Sequence, residues 1–206
     1  AAFPEGTLHQ REIAASVLGD ELGLANIPKT VLAEGSQGVG SAQAWSVGHL
    51  PISDQGRRLS SNMDWEEAEK MTVFDLVAGS SDRHPKNWLV RDDRTIVAID
   101  NGFSFPDNAH LRAPQGQNQL RMRTSPSLMV RMPAQLSDAT VARLESLKSR
   151  RAEVSAKLAP HLSEGEINSM WERLDVVLAN KDNFRNYFAD DLKIAGLSFF
   201  NSKAFQ

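Results

Sequence analysis

Two polar turns lie only 18 residues apart, each set against apolar segments: Gly79-Ser80-Ser81-Asp82-Arg83-His84-Pro85-Lys86-Asn87-Trp88-Leu89-Val90, then Ile99-Asp100-Asn101-Gly102-Phe103. Trp88-Leu89-Val90 and Ile96-Val97-Ala98-Ile99 read as short apolar strands joined by the charged turn Arg91-Asp92-Asp93-Arg94-Thr95. Such a hairpin puts Asn87 just before its first strand and Asp100 just after its second, so the two side chains come together. Mg²⁺ takes oxygen ligands and is usually held by one or two side chains plus substrate phosphates. Asn87 and Asp100 are therefore suitable metal ligands, and Asp82 is placed to face an acceptor hydroxyl. The layout is that of a phosphoryl-transfer site.

Asp and Asn also favour turns through local side-chain hydrogen bonds, so either residue alone would be ordinary. The three together, with Asp100 at the end of a buried-looking strand, fit a metal-clamped site better than unconnected turns. Histidine is the side chain whose unperturbed pKa lies nearest neutrality, so His84 suits a proton acceptor; bracing the loop by hydrogen bonding is its other reading. A metal-dependent hydrolase using Asp82, His84 and Asp100 is a lower-ranked reading, because it lacks a nameable water-activating ligand set.

Around this centre the chain reads as follows. Residues 8–22 carry Ile13, Ala14, Val17, Leu18 and Leu22 at helical spacing, with Gly23 as a stop. Residues 27–34 and 42–47 read as strands about a glycine-rich connection, Gly35 to Gly40. That G-x-x-G-x-G run lacks a following helix N-terminus and reads as a hairpin turn rather than a phosphate loop. Residues 48–62 are weakly structured. Asp64 and Glu67 have capping-box spacing and open a helix through Met71, Phe74 and Val77 to Gly79. Residues 107–136, with Arg112, Arg121, Arg123 and Arg131, read as a long loop suited to an acidic or phosphorylated partner, or simply solvated. Residues 137–158 and 163–178 are helical, the second opened by a capping box at Ser163 and Glu166. A last helical piece at 182–192 presents Phe184, Tyr187 and Phe188 to the core.

With 206 residues, 41% hydrophobic and 24% charged, the chain is long enough for a sizeable core and is not broadly disordered. A net charge of −3 argues against non-specific nucleic-acid affinity, which needs clustered Lys and Arg. The absence of cysteine excludes disulfides, thiolate nucleophiles and Cys-based zinc sites, and fits a cytoplasmic setting or delivery into a cytoplasm. No run approaches the length of a membrane span, and Ala1-Ala2-Phe3-Pro4-Glu5 has no signal-peptide core. A start without Met is expected of a processed or truncated chain.

D-R-H-x-x-N at 82–87 and I-D-N-G-x-x-F at 99–105 resemble the catalytic and metal-binding loops of the phosphatidylinositol 3- and 4-kinase superfamily, including its small bacterial members. Arg11-Glu12-Ile13-Ala14-Ala15, Ile27-Pro28-Lys29-Thr30 and Gly40-Ser41-Ala42-Gln43-Ala44-Trp45 are similar to that family's αC-like helix and the strands leading to its hinge. The resemblance covers about residues 8–106. It implies an α+β, protein-kinase-like fold, with a small partial N-lobe over residues 1–50 and a mostly helical C-lobe over 51–206. It also implies an ATP- and Mg²⁺-dependent kinase that transfers the γ-phosphoryl group to a protein or lipid hydroxyl. By the resemblance Glu12, otherwise read as a solvated carboxylate, becomes the αC-like partner of an ATP-binding Lys; Gln43 and Trp45 line the adenine pocket, with a core position the other reading of Trp45; and the base is either Asp82 or His84.

One departure stands out. No Lys precedes Glu12, the first in the chain being Lys29, and the glycine-rich strands that cover ATP in such kinases are missing too. Without that charge-assisted contact to phosphate the isolated chain is expected to be weakly active or inactive. A second polypeptide supplying the upper lobe, or a kinase-like module that only binds a partner, are the alternatives.

Overall fold

Helices account for about half of the described residues, and two short hairpins interrupt them. The computed structural model describes residues 3–36, 38–108, 125–129 and 131–188. In order they form α1 (Leu8–Leu22), β1 (Thr30–Gly35), β2 (Gly38–Gln43), α2 (Asp54–Ser61), α3 (Trp65–Ala78), β3 (Trp88–Val90), β4 (Ile96–Ala98), α4 (Pro126–Met129), α5 (Asp138–Ser149), α6 (Arg151–Leu158) and α7 (Glu164–Ala179). A 3₁₀ turn, Lys181–Asn183, follows. The fold is α+β.

The axis of the molecule is α3. Its Ala68, Met71, Val73, Phe74, Leu76 and Val77 are all buried, too many for one stripe, so the helix is covered on several sides. α1, α4, α7 and β4 supply the cover. Phe74 is fully enclosed, and truncating it to Ala would cost about 3–5 kcal/mol through lost burial and the cavity left behind. α3 ends at Gly79, whose φ of 69° is left-handed and whose missing Cβ leaves room for the Arg173 guanidinium. That stop turns the chain into the Asp82 loop.

Several expectations are met. α1 and its Gly23 stop fall as the periodicity predicts, with the Gly23 amide bonded to the Gly19 carbonyl. Both capping-box bonds form at Ser163 and Glu166. β3 and β4 pair antiparallel with Trp88 opposite Ala98 and Val90 opposite Ile96.

Others are corrected. Residues 54–61 are helical, not weakly structured, because Ser53 caps α2 by accepting from the Gly56 amide. β2 starts at Gly38, with Gly35 opposite Gly38, so Gly38 and Gly40 lie in the ladder rather than in a connecting loop. Asp64 occupies the N-cap of α3 but its side chain makes no capping bond. Glu67 is diverted from any capping box: its carboxylate accepts from the Ile96 amide at 3.0 Å and from Lys70 Nζ at 2.6 Å. The predicted 137–158 helix breaks at Arg150, whose guanidinium donates to the carboxylate and carbonyl of Glu21 and ties the break to the end of α1. Phe184 and Phe188 are buried as expected, but Tyr187 is exposed and meets only the edge of that pair. Residues 189–192 of that piece lie outside the described residues.

α1 packs both on the β1–β2 hairpin and on the helical body. The hairpin itself is two strands only and leaves Val31, Leu32 and Val39 more than half exposed.

Candidate active site

The β3–β4 hairpin builds the site from its open end. Asn87 enters β3 and Ile99 leaves β4, and the Ile99 amide donates to the Asn87 carbonyl at 3.1 Å. Asp100 is therefore the next residue along from a direct backbone link to Asn87, as the hairpin reading requires. Asn87 is buried and Asp100 is exposed. Asp100 has φ 54°, a left-handed conformation uncommon for a residue with a Cβ.

The Asp82 loop closes on itself. The Asp82 carbonyl accepts from the His84 amide at 2.8 Å and from Asn87 Nδ2 at 3.0 Å, and Nδ2 also reaches Asp82 Oδ2 at 3.4 Å. With its nitrogen committed to Asp82, the Asn87 amide has Oδ1 left for a hard cation. His84 Nδ1 accepts from the Lys86 amide at 3.2 Å, which leaves Nε2 for the proton in the neutral ring. Nε2 faces Asp82 Oδ2 at 3.7 Å, an ion-pair distance but longer than a hydrogen bond. Among the described residues, no three of His, Asp and Glu converge as a metal cage. Asp82, His84 and Asp100 thus do not form the ligand set of a metal hydrolase. The donors that suit a cation are two side-chain oxygens, the number Mg²⁺ takes when phosphates fill the remaining positions.

Glu12 comes to the same place from α1. Burial first, and then the charge of Asp100, push its carboxyl above the usual range, while the Gly102 and Asn101 amides and the Arg83 charge oppose the rise. Gln43 Nε2 donates to Glu12 Oε2 at 3.3 Å and to Thr30 Oγ1 at 3.1 Å, so these two predicted cofactor residues meet. Trp45 does not join them; it is 92% exposed. Of the four arginines in the 107–136 loop, Arg112, Arg121 and Arg123 lie outside the described residues, and Arg131 donates to the Ser61 carbonyl.

Sequence reading missed three buried arginines that grip the segment carrying Asp100. Arg11 donates to the carbonyls of Ser104 and Phe105 and pairs with Glu166. Arg173 donates to the carbonyls of Val77, Ala78 and Pro106 and to Asn108 Oδ1. Arg83 donates to the carbonyls of Asn87 and Ile99, to Asn101 Oδ1 and to the Asp75 carboxylate. Burial pushes the Asp75 carboxyl up to about 6 against the pull of Arg83. One signal was readable: Asp75 stands in the apolar run Val73-Phe74-Asp75-Leu76-Val77, and a carboxylate there must find a partner.

The family described as phosphatidylinositol 3- and 4-kinase matches residues 55–144, a stretch that holds Asp82, Asn87 and Asp100. The crystal structure of the Helicobacter pylori proinflammatory kinase CtkA superposes with a TM-score of 0.51 at 16% identity, covering 92% of this chain and 86% of that one. The fold is therefore that of a kinase. Protein Rv2133c of Mycobacterium tuberculosis is 24% identical over 142 residues, covering 53% of this chain and 51% of its own. Phosphatidylinositol 4-kinase gamma 4 of Arabidopsis thaliana is 26% identical over 115 residues, covering 48% of this chain and 20% of its own. The chain is similar to phosphatidylinositol 3- and 4-kinases over residues 55–144, less than half of its length, and it spans about half of the first of these relatives and a fifth of the second. Among the described residues, no helix is long and apolar enough to cross a membrane.

Proposed function

We propose that this chain carries the catalytic and metal-binding loops of an ATP- and Mg²⁺-dependent kinase acting on a hydroxyl of a protein or a lipid head group. The observation that carries the reading is the pairing of Asn87, its amide nitrogen already bonded to Asp82, with the exposed, left-handed Asp100. Asn87 Oδ1 and the Asp100 carboxylate would hold the metal, which when bound offsets charge growing on the transferred phosphoryl group. Asp82 orients the acceptor hydroxyl and takes its proton. His84, with Nε2 facing Asp82, shares or relays that proton.

A second reading is supported by the surroundings of Glu12. Its carboxylate bonds to Gln43 and to the amides of the Asp100 loop. The exposed Leu32 and Val39, which by the hairpin register share a face with Thr30 and Gln43, favour a further polypeptide segment lying over this face. On that reading the chain alone binds a partner or awaits its upper lobe, and phosphoryl transfer is weak without it.

Calorimetric titration of the 206-residue chain with Mg-ATP, beside Asp100→Ala, tests the first reading. Binding that disappears in Asp100→Ala supports it. A folded chain that binds no nucleotide sends the question to the second reading. Asp82→Asn then separates enzyme from binding module: a kinase loses phosphoryl transfer with its melting temperature kept, whereas a binding module keeps its biological effect.

A further inference from the structure

We infer that Arg83, held by Asp75, is the positioning residue that sets Asn87 against Asp100. The inference rests on the reading of Asn87 and Asp100 as the metal-binding pair. Arg83 is only 1% exposed and all three of its nitrogens are used. Nε and Nη2 face the Asp75 carboxylate, with Nε 3.0 Å from Oδ1 and 3.2 Å from Oδ2. Nη1 donates to the carbonyls of Asn87 and of Ile99, and Nη2 also donates to Asn101 Oδ1. One planar guanidinium therefore holds the metal-facing Asn87 and both residues flanking Asp100. Its five donors lie in a rigid fork, so the angles between these contacts are fixed along with their lengths.

This arrangement explains how Asp100 keeps φ 54° without being glycine. The residues on either side of it are bonded to the same group, and the strained conformation is spanned by two anchors. Asp75 turns the clamp into a fixed post. It sits on the buried face of α3 between Phe74 and Leu76, so the guanidinium is referred to the most enclosed helix of the body rather than to a loop. A group behind a ligand that fixes its orientation governs metal affinity without touching the metal.

The experiment compares the 206-residue chain with Arg83→Lys and Asp75→Asn, and with Ser137→Ala as a control. Ser137 Oγ donates to Glu69 on the same helix as Asp75 and accepts from the Thr140 amide as the N-cap of α5, so its loss perturbs α3 without removing any bond in the Asp82 and Asp100 loops. Amide hydrogen exchange is read at Ile99, whose amide donates to Asn87, and at residues of α6 and α7. Both Arg83→Lys and Asp75→Asn should speed exchange at Ile99 about tenfold or more, with α6 and α7 little changed, since local opening is separate from global unfolding. In Mg-ATP titrations both should raise the Mg²⁺ concentration for half-maximal nucleotide binding by about 10- to 100-fold. Ser137→Ala should do neither. Unchanged exchange at Ile99, or a rise spread evenly over α6 and α7, overturns the inference and leaves Arg83 as a stabilising pair. If Arg83→Lys does not fold, Asp75→Asn, which keeps the side chain's shape, decides alone. A parent chain that binds no Mg-ATP sinks the functional reading, while the exchange data still decide positioning.

Discussion

Glu12 on α1 lies within the electrostatic reach of Asp100, and that aspartate's charge adds to burial in raising the glutamate's pKa. Two carboxylates from opposite ends of the described site face one field. The Asn101 and Gly102 amides and Arg83 only partly offset the repulsion. The proposed metal at Asp100 would relieve it.

Glu12→Gln tests that relation. The substitution keeps the shape and an acceptor oxygen but removes one negative charge, so divalent cation binding should weaken by about 1 kcal/mol, roughly fivefold. Calorimetry with Mg²⁺ and nucleotide reads it. Tighter binding in Glu12→Gln would mean that Glu12 hinders the cation rather than attracting it.

Glu67 is a strut and not a cap. Its carboxylate holds the Ile96 amide at 3.0 Å, tying the first turn of α3 to β4. Glu67→Ala should cost about 1–3 kcal/mol, because it leaves that amide unpaired, and should lower the melting temperature by a few degrees. Urea unfolding measures it; a loss below 0.5 kcal/mol would show that water replaces the carboxylate freely.

Ser163 and Glu166 form the capping box of α7, but Glu166 also pairs with the buried Arg11. Ser163→Ala removes a cap alone and should cost about 1 kcal/mol. Glu166→Ala additionally strands a buried guanidinium and should cost about 3–5 kcal/mol. Equal losses in denaturant unfolding would mean that the Arg11 contact contributes nothing.

Asp75 gives the stability a pH dependence of known sign. Its carboxyl is raised from 3.8 to about 6 by burial, so between those values the folded chain carries a proton that the unfolded chain has lost. Stability contributed through Asp75 therefore falls as pH rises across that window, by about 3 kcal/mol in all. Unfolding of the parent chain and of Asp75→Asn at a series of pH values checks it. The parent-minus-variant difference should decline from pH 4 to 6 and then level off; a flat difference would show that Arg83 holds Asp75 ionised throughout.

The amino-acid order alone determined the local units. Helical spacing with Gly23 and Gly79 as stops set α1 and α3, apolar triplets about a charged turn set β3 and β4, and that hairpin put Asn87 beside Asp100. These features are readable because they depend on neighbours in the chain, through periodicity, glycine's backbone freedom and two-strand register. Tertiary structure decided what distant partners compete for. Glu67 left its capping box for the Ile96 amide 29 residues away, and Arg150 broke a predicted helix to reach Glu21 across 129. The clamp on the Asp100 segment brings Arg11, Arg83 and Arg173 together from three parts of the chain. Leaving a buried guanidinium's donors unpaired is costly, and only the assembled core fixes which carbonyls and carboxylates lie within its reach.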